Sequence, residues 1–276
     1  MSFLLEQYRQ SRVVRYIVIF FVLASAWWLY MYLRGITDGA GTDAFLLVYP
    51  ILTIIGGIYG LRFGKKWGGF RSTFGSAVSI FALGLLAQTL GQYLYDYYQV
   101  LLHIDIPYPS IGDLFYFLSV LLYILGAWKL AKVSGIKMTL TTIQGKFKAF
   151  VIPIIVLLIS YLVLLQGYEA DWSNKLIVFL DFGYPIGQAV YLSIALLALL
   201  ISKDILGGLM RKPIMLLIVA LMAQFFADFF FSYQVSREVA TYYPAGVTDY
   251  IFFCSYFLMA IALFSIGNMF YKVQKS

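Results

Sequence analysis

An all-α fold, a polytopic membrane bundle of eight transmembrane helices built as two parallel four-helix repeats, is what this sequence predicts, on three observations. The first is hydropathy. Of 276 residues, 62% are hydrophobic and 12% charged, with a mean hydropathy of +0.85, too few polar side chains to coat a soluble globule of that size. The second is a recurring pair. Tyr-Pro occurs at 49–50, 108–109, 184–185 and 243–244, so that the first and third pairs, and the second and fourth, are 135 residues apart, the mark of a duplicated unit. The third is charge: basic residues gather in alternate connections.

The duplication reaches into the flanking sequence. Tyr98-Gln99-Val100 returns as Tyr233-Gln234-Val235, Ala87-Gln88 as Ala223-Gln224, and the set Asp113, Phe117, Ser119 as Asp249, Phe253, Ser255. Two membrane repeats, residues 1–140 and 141–276, are therefore expected.

Along the chain the apolar spans are 14–34, 44–63, 74–97, 110–131, 149–167, 176–202, 213–234 and 248–271, each long enough to cross a bilayer. Three arginines precede the first, and Trp27-Trp28 sit where an interfacial aromatic belt belongs. Ala24-Ser25-Ala26 resembles a signal-peptidase site, but cleavage would remove the helix that the repeat pairs with 149–167, so the first span is read as retained. The second carries Pro50 and, at GxxxG spacing, Gly56 and Gly60, read as close-packing positions. The fourth starts after Pro109 with Ser110 and Asp113 at capping-box spacing, and the eighth after Pro244 with Gly246 and Asp249. Pro50 and Pro185 lie deeper in their spans and should bend them.

With a cytoplasmic N-terminus, 17 of the 20 basic residues fall in inner segments, leaving only Arg34, Lys175 and Arg237 outside. Every loop then satisfies the positive-inside rule, so both termini are expected in the cytoplasm. Of the acidic residues only Glu6 and Asp204 lie inside. The net charge of +7 thus reports topology, and the expected partner is the lipid bilayer, with no nucleic acid. Cys254 is the sole cysteine and His103 the sole histidine, which excludes an intramolecular disulfide, cysteine or histidine metal sites and haem ligation by histidine. No cofactor or metal is expected.

Polar residues inside the spans carry the functional question, because an ionisable group in hydrocarbon is costly and faces the bundle interior. Gln88, Gln92 and Asp96 recur every four residues on the third span, and Gln224, Asp228 and Ser232 do the same on the seventh. The sixth adds Asp181, Tyr184 and Gln188; the fourth and eighth add Asp113, Tyr116, Asp249 and Ser255. At the helical rise, Asp228 and Asp181 lie roughly 8 to 9 Å below the outer helix ends and Gln88 roughly 12 Å, with Asp96, Asp113 and Asp249 near the interface. An outward-opening cavity follows, its walls including Tyr93, Tyr97, Tyr98, Tyr108, Tyr184, Tyr233, Tyr243 and Tyr250. Carboxylates among aromatic faces suit a small cationic or amphipathic ligand. The plainer role for the same residues is helix-to-helix hydrogen bonding, at about 0.6 kcal/mol per contact, and capping for Asp113 and Asp249.

From Gln88 to Trp128 the chain resembles the N-terminal multi-helix membrane sensor regions of bacterial and archaeal histidine kinases and diguanylate cyclases. There a polar and aromatic helix is followed by an outer loop, then Pro-Ser-x-x-Asp and an aromatic-rich helix, matched here by Pro109, Ser110, Asp113 and Tyr116. Tyr184-Pro185-Ile186-Gly187 is a second likeness, with Gln188 where an aspartate usually follows. The resemblance implies a ligand-sensing or structural module of a prokaryotic cell membrane, any output of which would need a separate cytoplasmic signalling partner.

The expected function is accordingly a non-catalytic sensor or receptor-like module, not an enzyme. A proton-coupled or small-molecule transporter is the alternative that parallel repeats, proline-bent helices and buried carboxylates allow, although few strong polar groups continue below Gln88 and Gln188. An intramembrane aspartyl enzyme would use Asp96 and Asp113, but Ser110 replaces the first glycine of the Gly-x-Gly-Asp pattern and both aspartates lie at helix ends.

Overall fold

The computed structural model describes residues 7–9, 11–134, 141–162, 166, 172–201, 211–237 and 243–275. Among them there is no strand. The helices are α1 (Arg12–Leu33), α2 in two pieces (Ala40–Val48 and Ile51–Lys66), α3 (Thr73–Asp96), α4 (Ile111–Val133), α5 (Ile143–Ser160), α6 (Lys175–Ile201), α7 (Arg211–Arg237) and α8 (Val247–Lys275). All eight are long and apolar enough to cross a membrane. Glu6, Lys137, Glu169, Asp171, Lys203, Asp204 and Glu238 lie outside the described residues.

Short polar side chains fix where most helices begin. Ser11, Ser72 and Thr142 accept from the amides of Val14, Gly75 and Gly145, and Asn174 accepts from Ile177, pairing donors that a first turn leaves orphaned. Ser110 and Asp113 form the reciprocal box expected of them at the head of α4. The Thr142 cap also moves α5, which starts at Ile143 and not near 149 as hydropathy suggests: a capped turn tolerates Lys146 and Lys148, whereas a hydropathy window rejects them. On α2 the helix starts at Ala40 with Asp43 in its first turn, where the helix dipole favours a negative charge.

The two deep prolines act differently. At Tyr49-Pro50 α2 is interrupted, and both the amide and the hydroxyl of Thr53 bond to the Pro50 carbonyl. By contrast, α6 runs unbroken through Pro185, which removes only the helix bond that the Asp181 carbonyl would otherwise accept.

Six helices close a ring in the order α2, α3, α4, α6, α7, α8, with α8 packing back onto α2. Outside it, α1 lies on α8 and α5 on α6. Aromatic stacking holds α1: Phe21 stacks on Phe257 at 4.0 Å, Trp28 on Tyr250 at 4.0 Å, and the Trp28 indole donates to the Ala245 carbonyl at 2.9 Å. Trp28 is therefore 92% buried (8% exposed) in a helix interface and is not the lipid-facing belt residue its position suggests.

Glycine notches set the spacing inside the ring. A Cβ on Gly56 would lie 2.9 Å from Leu85 and 3.0 Å from Ala260, and one on Gly60 2.7 Å from Ala82, so the GxxxG face of α2 packs against α3 and α8. Between α3 and α4 the notches hold rings: Gly84 receives Tyr123, Gly91 receives Tyr116, and Gly112 receives Tyr95. Each ring is accommodated without pushing the helices apart, Tyr123 fully buried and Tyr95 and Tyr116 half-buried, which is what dispersion packing between membrane helices requires. Gly84→Val, whose added carbon would meet Tyr123 at 2.6 Å, is expected to cost about 1–3 kcal/mol by overpacking. The check is the thermal midpoint of the detergent-solubilised protein, with Gly41→Ala, which meets only the Met31 sulfur at 3.4 Å, as the variant that leaves it unchanged.

Candidate functional site

A cavity of about 510 Å³ lies between α3, α4, α6, α7 and α8. Its mouth is at the end of the bundle that carries the α3–α4 connection, where the exposed Asp105 and Tyr108 line it. Going inward it meets Asp181 and Tyr184 of α6, Asp113 and Tyr116 of α4, Asp249 and Phe252 of α8, and Asp228 and Phe231 of α7. Gln88, Ser119, Tyr123 and Gln188, each no more than 3% exposed, form its floor.

Eight of the ten residues expected at such a site line it: Gln88, Gln92, Asp113, Asp181, Tyr184, Gln188, Asp228 and Asp249. Asp96 and Gln224 do not, and helical geometry explains both. A step of four residues turns about 40° past a full revolution, so Asp96 is rotated about 80° from Gln88, away from the cavity. It is wholly buried and accepts from Gln92 at 3.0 Å. Nor does Asp96 end its helix: a π-helical turn, Tyr97–Leu101, extends α3 beyond it, so its position near the interface is corrected to the interior. Gln224 stands behind the wall, donating to Asp228 at 3.0 Å and accepting from Ser255 at 2.7 Å.

Of the tyrosines expected in the walls, only Tyr108 and Tyr184 are there. Tyr93 bonds to the Leu47 carbonyl at 3.3 Å, Tyr97 is exposed, and Tyr250 stacks on Trp28. The rings lining the cavity with them are Tyr95, Tyr116 and Tyr123, those held in glycine notches. Tyr123 was legible in principle: with Tyr116, Ser119 and Val120 it follows the i, i+3, i+4, i+7 spacing of one helix face.

The carboxyl groups differ in how fully they are engaged. Asp113 accepts from the Ser110 amide at 2.7 Å and hydroxyl at 3.0 Å, from Tyr95 at 2.7 Å and from Tyr184 at 3.3 Å. It is a junction of α3, α4 and α6. Asp181 accepts from Tyr108 at 2.7 Å, which ties the α3–α4 connection to α6. Asp228 accepts one hydrogen bond, from Gln224, and remains partly accessible from the cavity it lines. The Tyr123, Tyr191 and Tyr256 hydroxyls lie within electrostatic reach of it. Among the described residues, five aspartates and no lysine, arginine or histidine line this space, and no group of three His, Cys, Asp or Glu residues is arranged to hold a metal.

No known protein family, no curated protein and no solved structure matches the chain.

Replacing Asp113 by alanine leaves the half-buried Tyr95 phenol and the head of α4 without their side-chain acceptor, while Tyr184 keeps the residue-113 carbonyl, and should destabilise the protein by about 1–3 kcal/mol. Asp228→Ala, which strands only Gln224, should cost less. Thermal unfolding of the two variants side by side checks the order.

Proposed function

We propose that this chain is a non-catalytic, sensor-like membrane receptor whose cavity takes a small cationic, amphipathic molecule. One observation carries the reading: five carboxyl groups converge on the cavity among aromatic walls, and no lysine, arginine or histidine among the described residues lines it. A cation entering such a space gains carboxylate partners and aromatic faces together, and 510 Å³ is within the roughly 300–1,000 Å³ of small-molecule sites. Asp228 is the principal counter-charge, since Asp113 is committed to its neighbours.

The mouth faces the extracytoplasmic side of a prokaryotic cell membrane on this reading, both termini face the cytoplasm, and output passes to a signalling partner at the basic inner face. The two-repeat origin is part of the same proposal. It is supported by the hydrogen bond between Ser119 and Gln88, which recurs as that between Ser255 and Gln224, each 31 residues apart in sequence, and by the matched packing of α4 on α6 and α8 on α2.

Thermal shift with 2-phenylethylamine, its trimethylammonium counterpart and uncharged 2-phenylethanol tests the charge requirement. Either or both cations are expected to raise the unfolding midpoint, the alcohol to leave it in place, and Asp228→Asn to remove the effect. Equal stabilisation by the alcohol would show that the acidic lining recognises nothing.

A further inference from the structure

The floor of the cavity contains polar atoms that the protein leaves unpaired. Gln188 Oε1 and the Tyr123 hydroxyl are both buried without a hydrogen-bond partner, and both residues line the cavity. Such atoms are costly in a protein interior unless a partner meets them. They lie on helices that meet at this point. The Tyr123 ring of α4 packs edge-on against Tyr191 of α6 with centroids 5.8 Å apart, and Tyr191 stands three residues beyond Gln188, on the same side of α6. Asp228 of α7, within electrostatic reach of Tyr123, lines the same cavity with one protein hydrogen bond.

Three residues bordering one cavity thus carry acceptors that the protein leaves unfilled: the Asp228 carboxylate, the Gln188 amide oxygen and the Tyr123 phenol oxygen. An alkylammonium carries three N–H donors, whereas a quaternary ammonium carries none. Charge alone would be served by either cation, but only the first pairs the two orphaned oxygens. Above this group the rings of Tyr116, Tyr184, Phe231 and Phe252, with Val120, stand between Asp113, Asp181 and Asp249, and these aromatic faces fit an aromatic or aliphatic body attached to the nitrogen.

We propose that the ligand is a primary amine whose ammonium group sits on the cavity floor, donating to Asp228, Gln188 and Tyr123, with its apolar body directed toward the mouth. This rests on the cationic reading above and narrows it from any cation to one bearing N–H groups. Selectivity of this kind arises because a polar site rejects an analogue that leaves its groups unpaired.

Isothermal titration of the full chain in detergent with 2-phenylethylamine and with its trimethylammonium counterpart separates the two ideas. The primary amine should bind at least about tenfold more tightly, the equivalent of one charge-assisted hydrogen bond. Gln188→Leu should remove most of that preference, weakening the primary amine about tenfold and the trimethylammonium compound less than about twofold. Tyr123→Phe deletes a single oxygen from a ring kept in its notch, so it provides the same test, with a smaller loss in the same direction, should Gln188→Leu fold poorly. Asp228→Asn should weaken both compounds. Equal or tighter binding of the trimethylammonium compound would overturn the N–H assignment while leaving the cation site standing; binding of neither would overturn both.

Discussion

The Asp113 carboxylate is the interaction on which the rest of this bundle depends. It caps its own helix through Ser110, receives the Tyr95 phenol from α3 and the Tyr184 phenol from α6, and so fixes three ring helices at one point. In water such bonds would exchange with solvent and contribute little. At a membrane helix end the donors have few other partners, and each bond retains more of its strength. The Tyr184 hydroxyl also donates to the Asp113 carbonyl at 3.0 Å, which ties α6 to the backbone of α4 as well as to its side chain.

A cavity persists below that junction because the helices beside it are spaced by rings and glycines together. Tyr116 and Tyr123 lie in the notches at Gly91 and Gly84, so α3 and α4 approach closely while their aromatic edges stay on the inner face of the ring. Across the cavity, α6 packs on α4 through Gly183 against Phe117 and Gly187 against Val120. Small residues bring backbones together on one side, and large ones hold the interior open on the other. The polar groups left facing that interior are therefore positioned by packing that is itself apolar.

Much of the architecture could be read from the residues. Hydropathy gave the number of spans, and the Ser110 and Asp113 spacing gave the cap on α4, because these depend on neighbours within a few positions. Boundaries were less secure where capping and hydropathy disagree, as at Thr142, where the cap decides. Residues placed on a common face by counting in fours were separated once the true turn of 3.6 residues accumulated: Gln88 reached the cavity and Asp96 a buried site outside it. Tyrosines near helix ends were equally ambiguous, since an aromatic belt and a cavity wall have the same composition.

The sequence alone determined that the chain is a bundle of eight apolar helices with aspartates and glutamines at internal positions, since length, hydropathy and local spacing depend on covalent order. Which of those groups would meet was decided only by the tertiary structure, because each helix has a rotation about its axis that its own residues do not specify. That rotation is set by contacts such as Tyr123 in the Gly84 notch and Tyr184 on Asp113, between residues tens of positions apart. Contacts of that kind, including Ser255 on Gln224 between α8 and α7, leave Asp228 facing an open space and Asp96 a closed one.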